Sequence, residues 1–379
     1  MPDLQKKRKV SDVFAENRKI SLRQLQVLLL LDSFGTAVLF LPAELAQISG
    51  RACWILALAG GAFFGGATFL LTSIGGKMPE GTATEWFRLC LGNGLATGAL
   101  GGLGAALLFS GALELRLFSE AVCRTMLPNT PVWVLSLVVL LVAGMLAAQG
   151  LECRGRFGEI LFFVVIPPLA VILLAVAVSA EYGRLLPLEL PSLGELGQGI
   201  SAVSVVFPGL LFLYFVFPDL RKPTMAREAA WKSMLVTAIL LTLIVVLSLA
   251  VYGEGALSEK LLPTLQMMER VSFTGIFLTR QDVLLLWFWM ASVVIFLSGV
   301  LFYGSFLCLQ IFHQEKERRK VWMWGWLAAI IGLSLLPENL SAAYHLRLAV
   351  LPWVLLVYLV ILPLTLFFLL KKKGGKEVV

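Results

Sequence analysis

The sequence predicts an all-α polytopic membrane protein of ten transmembrane helices, with the first and sixth broken near the middle of the bilayer. Three observations carry this. Hydrophobic residues make up 59% of the 379 and charged residues only 15%, with a mean hydropathy of +0.88, a balance that leaves too little polar surface for a water-facing domain. Apolar stretches of about 20 residues, the length of one crossing, recur along the whole chain. Two of them, the first and the sixth, carry polar residues or a Pro-Gly step at their centres.

Composition also excludes classes of function. The cysteines Cys53, Cys90, Cys123, Cys153 and Cys308 are scattered without CxxC or Cys/His spacing, so neither a metal site nor a disulfide framework is indicated. The two histidines, His313 and His345, fall at predicted helix ends. No hydrolytic triad, HExxH motif or phosphate-binding loop is present. No catalytic residue, metal or cofactor is expected, and the chain reads as no enzyme.

Residues 1–24 are polar and basic, with the run Lys6-Lys7-Arg8-Lys9. They lack an apolar core ending in a small-residue cleavage site and read as a cytoplasmic tail that meets anionic lipid rather than nucleic acid. The membrane domain covers 25–370, followed by a short basic tail at 371–379. Its ten spans are 25–48, 52–76, 95–127, 131–149, 157–180, 198–218, 230–252, 283–312, 321–336 and 346–370. An even number puts both termini on one side. With that side cytoplasmic, every Lys and Arg lies inside except Arg51, Arg124, Arg184, Lys260, Arg270, Arg280 and Arg347 outside and Arg116 within a span, as the positive-inside rule requires.

In the first span, Asp32-Ser-Phe-Gly-Thr36 separates two apolar flanks. A broken helix is one reading; an intact helix with Gly35 packed on a neighbour and Asp32 paired is the other. Backbone groups freed at membrane depth survive only against protein or a water-filled cavity, and in transporters they bind substrates and ions. Gly61 and Gly65, then Gly94, Gly98 and Gly102, form small-residue ladders that read as close helix packing. Ala83–Leu91 reads as a short helix on the inner membrane surface. The third span carries Glu114, Arg116 and Glu120, which could be an ion pair or a functional group. Pro167-Pro168 should kink the fifth span. The sixth has Pro208-Gly209 at its centre. Interruptions in corresponding spans of two five-helix halves favour the broken-helix reading. The outer segment from Ser258 to Arg280 reads as a hairpin dipping over the outer mouth.

Four stretches carry a resemblance to a known family: Ile20-Ser-Leu-Arg-Gln24 before the first span, Gly35 with Leu41-Pro42 inside it, Trp54 opening the second, and Thr279-Arg-Gln-Asp282 followed by Trp287 at the eighth. The chain resembles the spore germination permeases, the B subunits of nutrient germinant receptors. Thr279 stands where that family usually has glutamate. The resemblance implies the amino acid–polyamine–organocation superfamily fold, with ten LeuT-like helices in two inverted repeats, here about 25–180 and 198–370. It also implies a spore inner-membrane location, an A subunit and a lipoprotein C subunit as partners, and recognition of a nutrient, often an amino acid.

The expected site is a midplane pocket between spans one, three, six and eight. Backbone N–H groups near Gly35, Thr36 and Ala37 would hold the carboxylate of an L-amino acid, and carbonyls around Phe207 and Gly209 its amino group. Leu107, Gly111 and Ser298 would be walls. In the alternative, a proton- or sodium-coupled amino acid transporter, Asp32 is the expected coupling group, with Glu114 and Glu120 behind it.

Overall fold

A computed structural model describes residues 19–35, 37–76, 82–187, 189–269 and 281–374. The basic run Lys6–Lys9, Thr36, Lys77, Arg270, Thr279, Arg280 and residues 375–379 lie outside the described residues, as do the side chains of Ala37, Asp282 and Trp287. Among the described residues the secondary structure is helical, with one isolated parallel bridge between Ile20 and Leu220.

Ser21 and Gln24 start the first helix, α1 (Leu22–Ser33): Gln24 N–H donates to the Ser21 hydroxyl at 3.1 Å and Ser21 N–H to the Gln24 side chain at 2.9 Å, a capping box. After the break come α2 (Ala37–Ser49), a 3-10 turn at Gly50–Ala52 with Gly50 at φ +53°, and α3 (Cys53–Gly75). Next are α4 (Ala83–Leu91), α5 (Asn93–Thr125), α6 (Val132–Gln149) and α7 (Leu151–Ser179). The sixth span is α8 (Leu193–Ser204), a 3-10 turn Pro208–Phe212, the short α9 (Leu213–Val216) and a further turn Phe217–Asp219. There follow α10 (Ala226–Tyr252), α11 (Glu254–Ser258), α12 (Pro263–Glu269), α13 (Gln281–Ile311), α14 (Arg319–Ser334) and α15 (Leu340–Leu356). A π-helical turn Val357–Ile361 leads into α16 (Leu362–Gly374).

Seven helices among the described residues are long and apolar enough to cross a membrane, and eight when the pair α8 and Pro208–Asp219, bent by 64°, counts as one span. The expected ten exceed this for identifiable reasons. The break leaves α1 with 12 residues and α14 has 16, each short of a full crossing alone, and Val38–Gly75 is one continuous helical run across the Gly50 turn.

The packing of the short helix and of the glycine ladders differs from expectation. Trp86 and Phe87 of α4 are buried, with their rings against Phe217 and Tyr214 at 5.6 and 5.4 Å. This helix therefore docks those rings on the second half of the sixth span. Pro167 and Pro168 lie inside α7. The glycine ladders divide. A Cβ on Gly61 would stand 2.6 Å from that of Ala238 in α10 and one on Gly102 would meet the Tyr358 hydroxyl, whereas at Gly94 and Gly98 it would meet nothing within 4 Å.

Candidate functional site

Both expected interruptions exist, and they meet. α1 ends at Ser33 and Phe34 N–H returns to the Leu30 and Leu31 carbonyls at 3.1 and 3.2 Å, before α2 restarts at Ala37. In the sixth span, Pro208 has no N–H to continue the ladder of α8. A Cβ on Gly209 would stand 2.5 Å from Cβ of Asp32 and 3.2 Å from its carbonyl oxygen, so only glycine lets the two breaks approach this closely.

Each break is held by an ion pair with an arginine from a distant helix. The Asp32 carboxylate takes both its bonds from Nη2 of Arg154 on α7, at 2.6 and 2.7 Å, and the two side chains are 2% exposed. Arg154 Nε donates to the Ile295 carbonyl on α13 at 3.2 Å, an oxygen that also accepts the Ser298 hydroxyl at 2.6 Å. Its guanidinium lies 5.2 Å from the centre of the Phe212 ring, a favourable cation–π distance. Glu114 of α5 pairs with Arg347 Nη1 of α15, and Arg347 Nη2 donates to the Val205 carbonyl at 2.6 Å. That carbonyl belongs to the end of α8, where a helix presents unsatisfied oxygens and partial negative charge. Glu114 in turn lies against Gly35: a Cβ there would be 2.6 Å from Oε1 and 3.2 Å from Oε2.

The expected site residues therefore fall into two groups. Asp32, Gly35, Glu114, Gly209 and Ser298 converge, contributed by spans one, three, six and eight. Leu107 is buried, and Gly111 packs on Val300 of α13. Phe207 stacks on Phe64 at 5.0 Å, and its carbonyl already accepts Leu210 N–H at 3.1 Å. The freed oxygen at the second break that a cation meets is Val205, three residues before the Pro-Gly step. Ala37 opens α2, and Thr36 lies outside the described residues. Glu120 belongs to a separate cluster, paired with Arg116 at 3.0 Å and Arg124 at 2.7 Å while accepting Leu340 N–H at 2.9 Å. It clamps α5 to the start of α15, the structural pairing with Arg116 that the spacing allowed.

Arg154 and Arg347 are the residues that sequence reasoning missed, assigned to an inner and an outer loop. Both are 1% exposed. Their signal was indirect: a carboxylate at membrane depth needs a partner, and each arginine stands near the start of the last helix of its half.

Two of the cavities near the breaks bear on the site. A space of about 20 Å³ beside Gly35 is bounded by Val38, Leu169, Ile244, Thr264 and Trp289. It has room for about one water and none for an amino acid. Above it, the Thr264 hydroxyl of α12 donates to the Val38 carbonyl at 3.0 Å, so the described part of the outer segment packs down on α2. On the face where Ile20 meets Asp219, a cavity of about 630 Å³ is lined by Glu85, Arg88, Asp219, Gln310 and His313 and reaches inward to Phe215 and Tyr303. Those two rings stack at 5.4 Å, and Phe212 lies 5.1 Å from Tyr303. This aromatic layer separates the large cavity from the Asp32–Arg154 pair.

Comparison with known proteins agrees in length and order. The profile of a family described as spore germination protein matches residues 19–343. The chain is 24% identical over 334 residues to spore germination protein YndE of Bacillus subtilis, covering 86% of this chain and 90% of that one. It is also 24% identical over 380 residues to spore germination protein KB of the same organism, covering 96% and 97%. To spore germination protein GerQB of Bacillus cereus it is 24% identical over 180 residues, 47% of this chain and 49% of that one.

Proposed function

The chain belongs to the spore germination protein family, and from that premise we propose that it is the nutrient-recognising B-type subunit of a germinant receptor, binding an L-amino acid between the two helix breaks. It works in the spore inner membrane beside an A subunit and a lipoprotein C subunit, with both termini cytoplasmic. The observation that carries the reading is the contact of the two breaks at Asp32 and Gly209. Interrupted helices meeting at membrane depth bring opposite helix ends together, and opposite helix ends select a molecule with both charges.

The fold in this reading is ten helices in two inverted five-helix repeats, and the contact pattern supports it. α1 packs on α10 and α7, the seventh and fifth spans; α8 packs on α3 and α15, the second and tenth. Exchanging the halves turns one set into the other. Arg154 and Arg347, on the fifth and tenth spans, follow the same exchange, each bonding the break of its own half.

The test is binding of radiolabelled L-amino acids to the full-length chain in lipid nanodiscs, beside its Gly35→Val variant. A side chain at 35 collides with Glu114, so the variant is expected to fold and lose binding. Undiminished binding would move the ligand elsewhere.

A second reading, a proton- or sodium-coupled amino acid transporter, is favoured by the large cavity on one face, which reaches inward to the aromatic cluster of Phe212, Phe215 and Tyr303. Counterflow in proteoliposomes separates the two. Exchange of the bound amino acid across the membrane makes the chain a transporter, and binding without exchange makes it a sensor.

A further inference from the structure

Two helix ends face the gap between the breaks. α2 begins at Ala37 with its N-terminus and partial positive charge toward Gly35, whose carbonyl accepts Val38 N–H at 3.3 Å; α8 ends at Ser204 with its last carbonyls and partial negative charge toward Val205. An α-amino acid would set its carboxylate on the first and its ammonium on the second. In this structure the chain supplies both charges itself. The Glu114 carboxylate lies against Gly35 with both oxygens, and the Arg347 guanidinium sits on the Val205 carbonyl at 2.6 Å while pairing with Glu114.

We propose that the Glu114–Arg347 pair is an internal stand-in for a zwitterionic ligand, occupying the slot between the breaks until an amino acid displaces it. The proposal rests on the reading that the breaks form the ligand site, and it names what holds that site closed.

Three further observations fit this role. The space left beside Gly35, about 20 Å³, is too small for any amino acid, so a ligand enters only if something already present moves. The pair is neutral as a unit and can withdraw without leaving a lone charge in the low-dielectric interior. Finally, Arg347 Nε has no acceptor among the described residues, so the pair is held by fewer bonds than its donors could make, and an unmade bond of a buried donor weakens its hold. Because Glu114 rides on α5 and Arg347 on α15, displacement separates those helices from the breaks and converts occupancy into a change of packing.

The experiment measures equilibrium binding of glycine, L-alanine, L-valine and L-leucine, with L-alaninamide as a probe that has an ammonium but no carboxylate. The proteins are the full-length chain, the double variant Glu114→Ala/Arg347→Ala, and Glu114→Asp, which keeps the ion pair but draws the carboxylate back from Gly35. With the stand-in removed, a zwitterion that the unaltered chain accepts is expected to bind about tenfold tighter, since self-occupancy cuts apparent affinity by the fraction of time the site is open. The gain is absent for L-alaninamide. Glu114→Asp shows a smaller gain in the same direction and carries the test where the double variant does not fold.

Unchanged affinity would make the pair a structural tie, and weaker affinity would make it part of the ligand's own anchor; either overturns the proposal. Binding that is lost in Gly35→Val but unchanged in the other variants overturns the stand-in alone. Binding indifferent to Gly35→Val, or no binding by any of the proteins, overturns the site and the stand-in together.

Discussion

A carboxylate buried among apolar helices has no water to solvate it, so its partner decides whether the fold tolerates it. Asp32 and Glu114 each pair with an arginine, and each arginine also bonds a backbone carbonyl, Ile295 or Val205. Breaking such a pair from one side leaves a lone buried charge and costs about 3–5 kcal/mol, whereas replacing both partners by neutral groups costs much less. Arg154→Met is therefore expected to destabilise the chain by about that amount, read as a fall in the thermal unfolding midpoint in detergent. Asp32→Asn combined with Arg154→Met should recover most of the loss. Failure of the second substitution to rescue would mean that Arg154 acts through Ile295 and Phe212 more than through Asp32. Glu120, with two arginines and a helix N-terminus around it, should matter for stability and not for ligand binding, and Glu120→Gln tests this by the same two measurements.

At the scale of elements, the breaks stay open because neighbouring helices take up the groups they free. A π-helical turn in the last span, Val357–Ile361, presents the Tyr358 carbonyl to the hydroxyl of Tyr214 at 2.5 Å, tying the second half of the sixth span to the end of the chain. Single π turns mark functional positions because they offset the hydrogen-bond ladder. Beside this tie, the stack of Phe212, Phe215 and Tyr303 closes the large cavity from the breaks. Opening it should be possible at one position. In a chain freed of its own cysteines, Ser298→Cys lies buried behind the stack and is expected to resist a water-soluble thiol reagent, and Tyr303→Ala added to it should make that cysteine react. Equal reactivity with and without Tyr303 would show that water reaches Ser298 by another path.

The whole molecule poses a question of parity. Ten spans return the chain to the side from which it started, and seven would not. Labelling Asp3→Cys and Lys376→Cys, one at a time in the cysteine-free chain, with an impermeant thiol reagent on sealed vesicles should find both on the same side. Opposite sides would rule out an even number. Burial of Arg154 and Arg347 withdraws one charge from the side expected to be inner and one from the side expected to be outer, so the expected excess of inner Lys and Arg survives.

Membrane residence, the order of the apolar stretches, and the positions of both helix breaks were determined by the sequence itself. These depend on local properties: backbone polar groups must be satisfied within lipid, proline cannot continue a ladder, and a carboxylate amid leucines stands out in any window. Gly35 and Gly209 were legible for the same reason. Only the tertiary structure decided the partners. Asp32 lies 122 residues from Arg154 and Glu114 lies 233 from Arg347, and nothing in either neighbourhood says which distant cation will arrive. Arg154 and Arg347 stood next to turns, where a basic residue ordinarily faces water, and the fold drew them inward because buried carboxylates near the breaks offered a lower free energy than the membrane surface. The local pattern could likewise predict a pocket between the breaks, but not that Glu114 and Arg347 already fill it, because occupancy depends on how closely helices from the two halves of the chain approach one another.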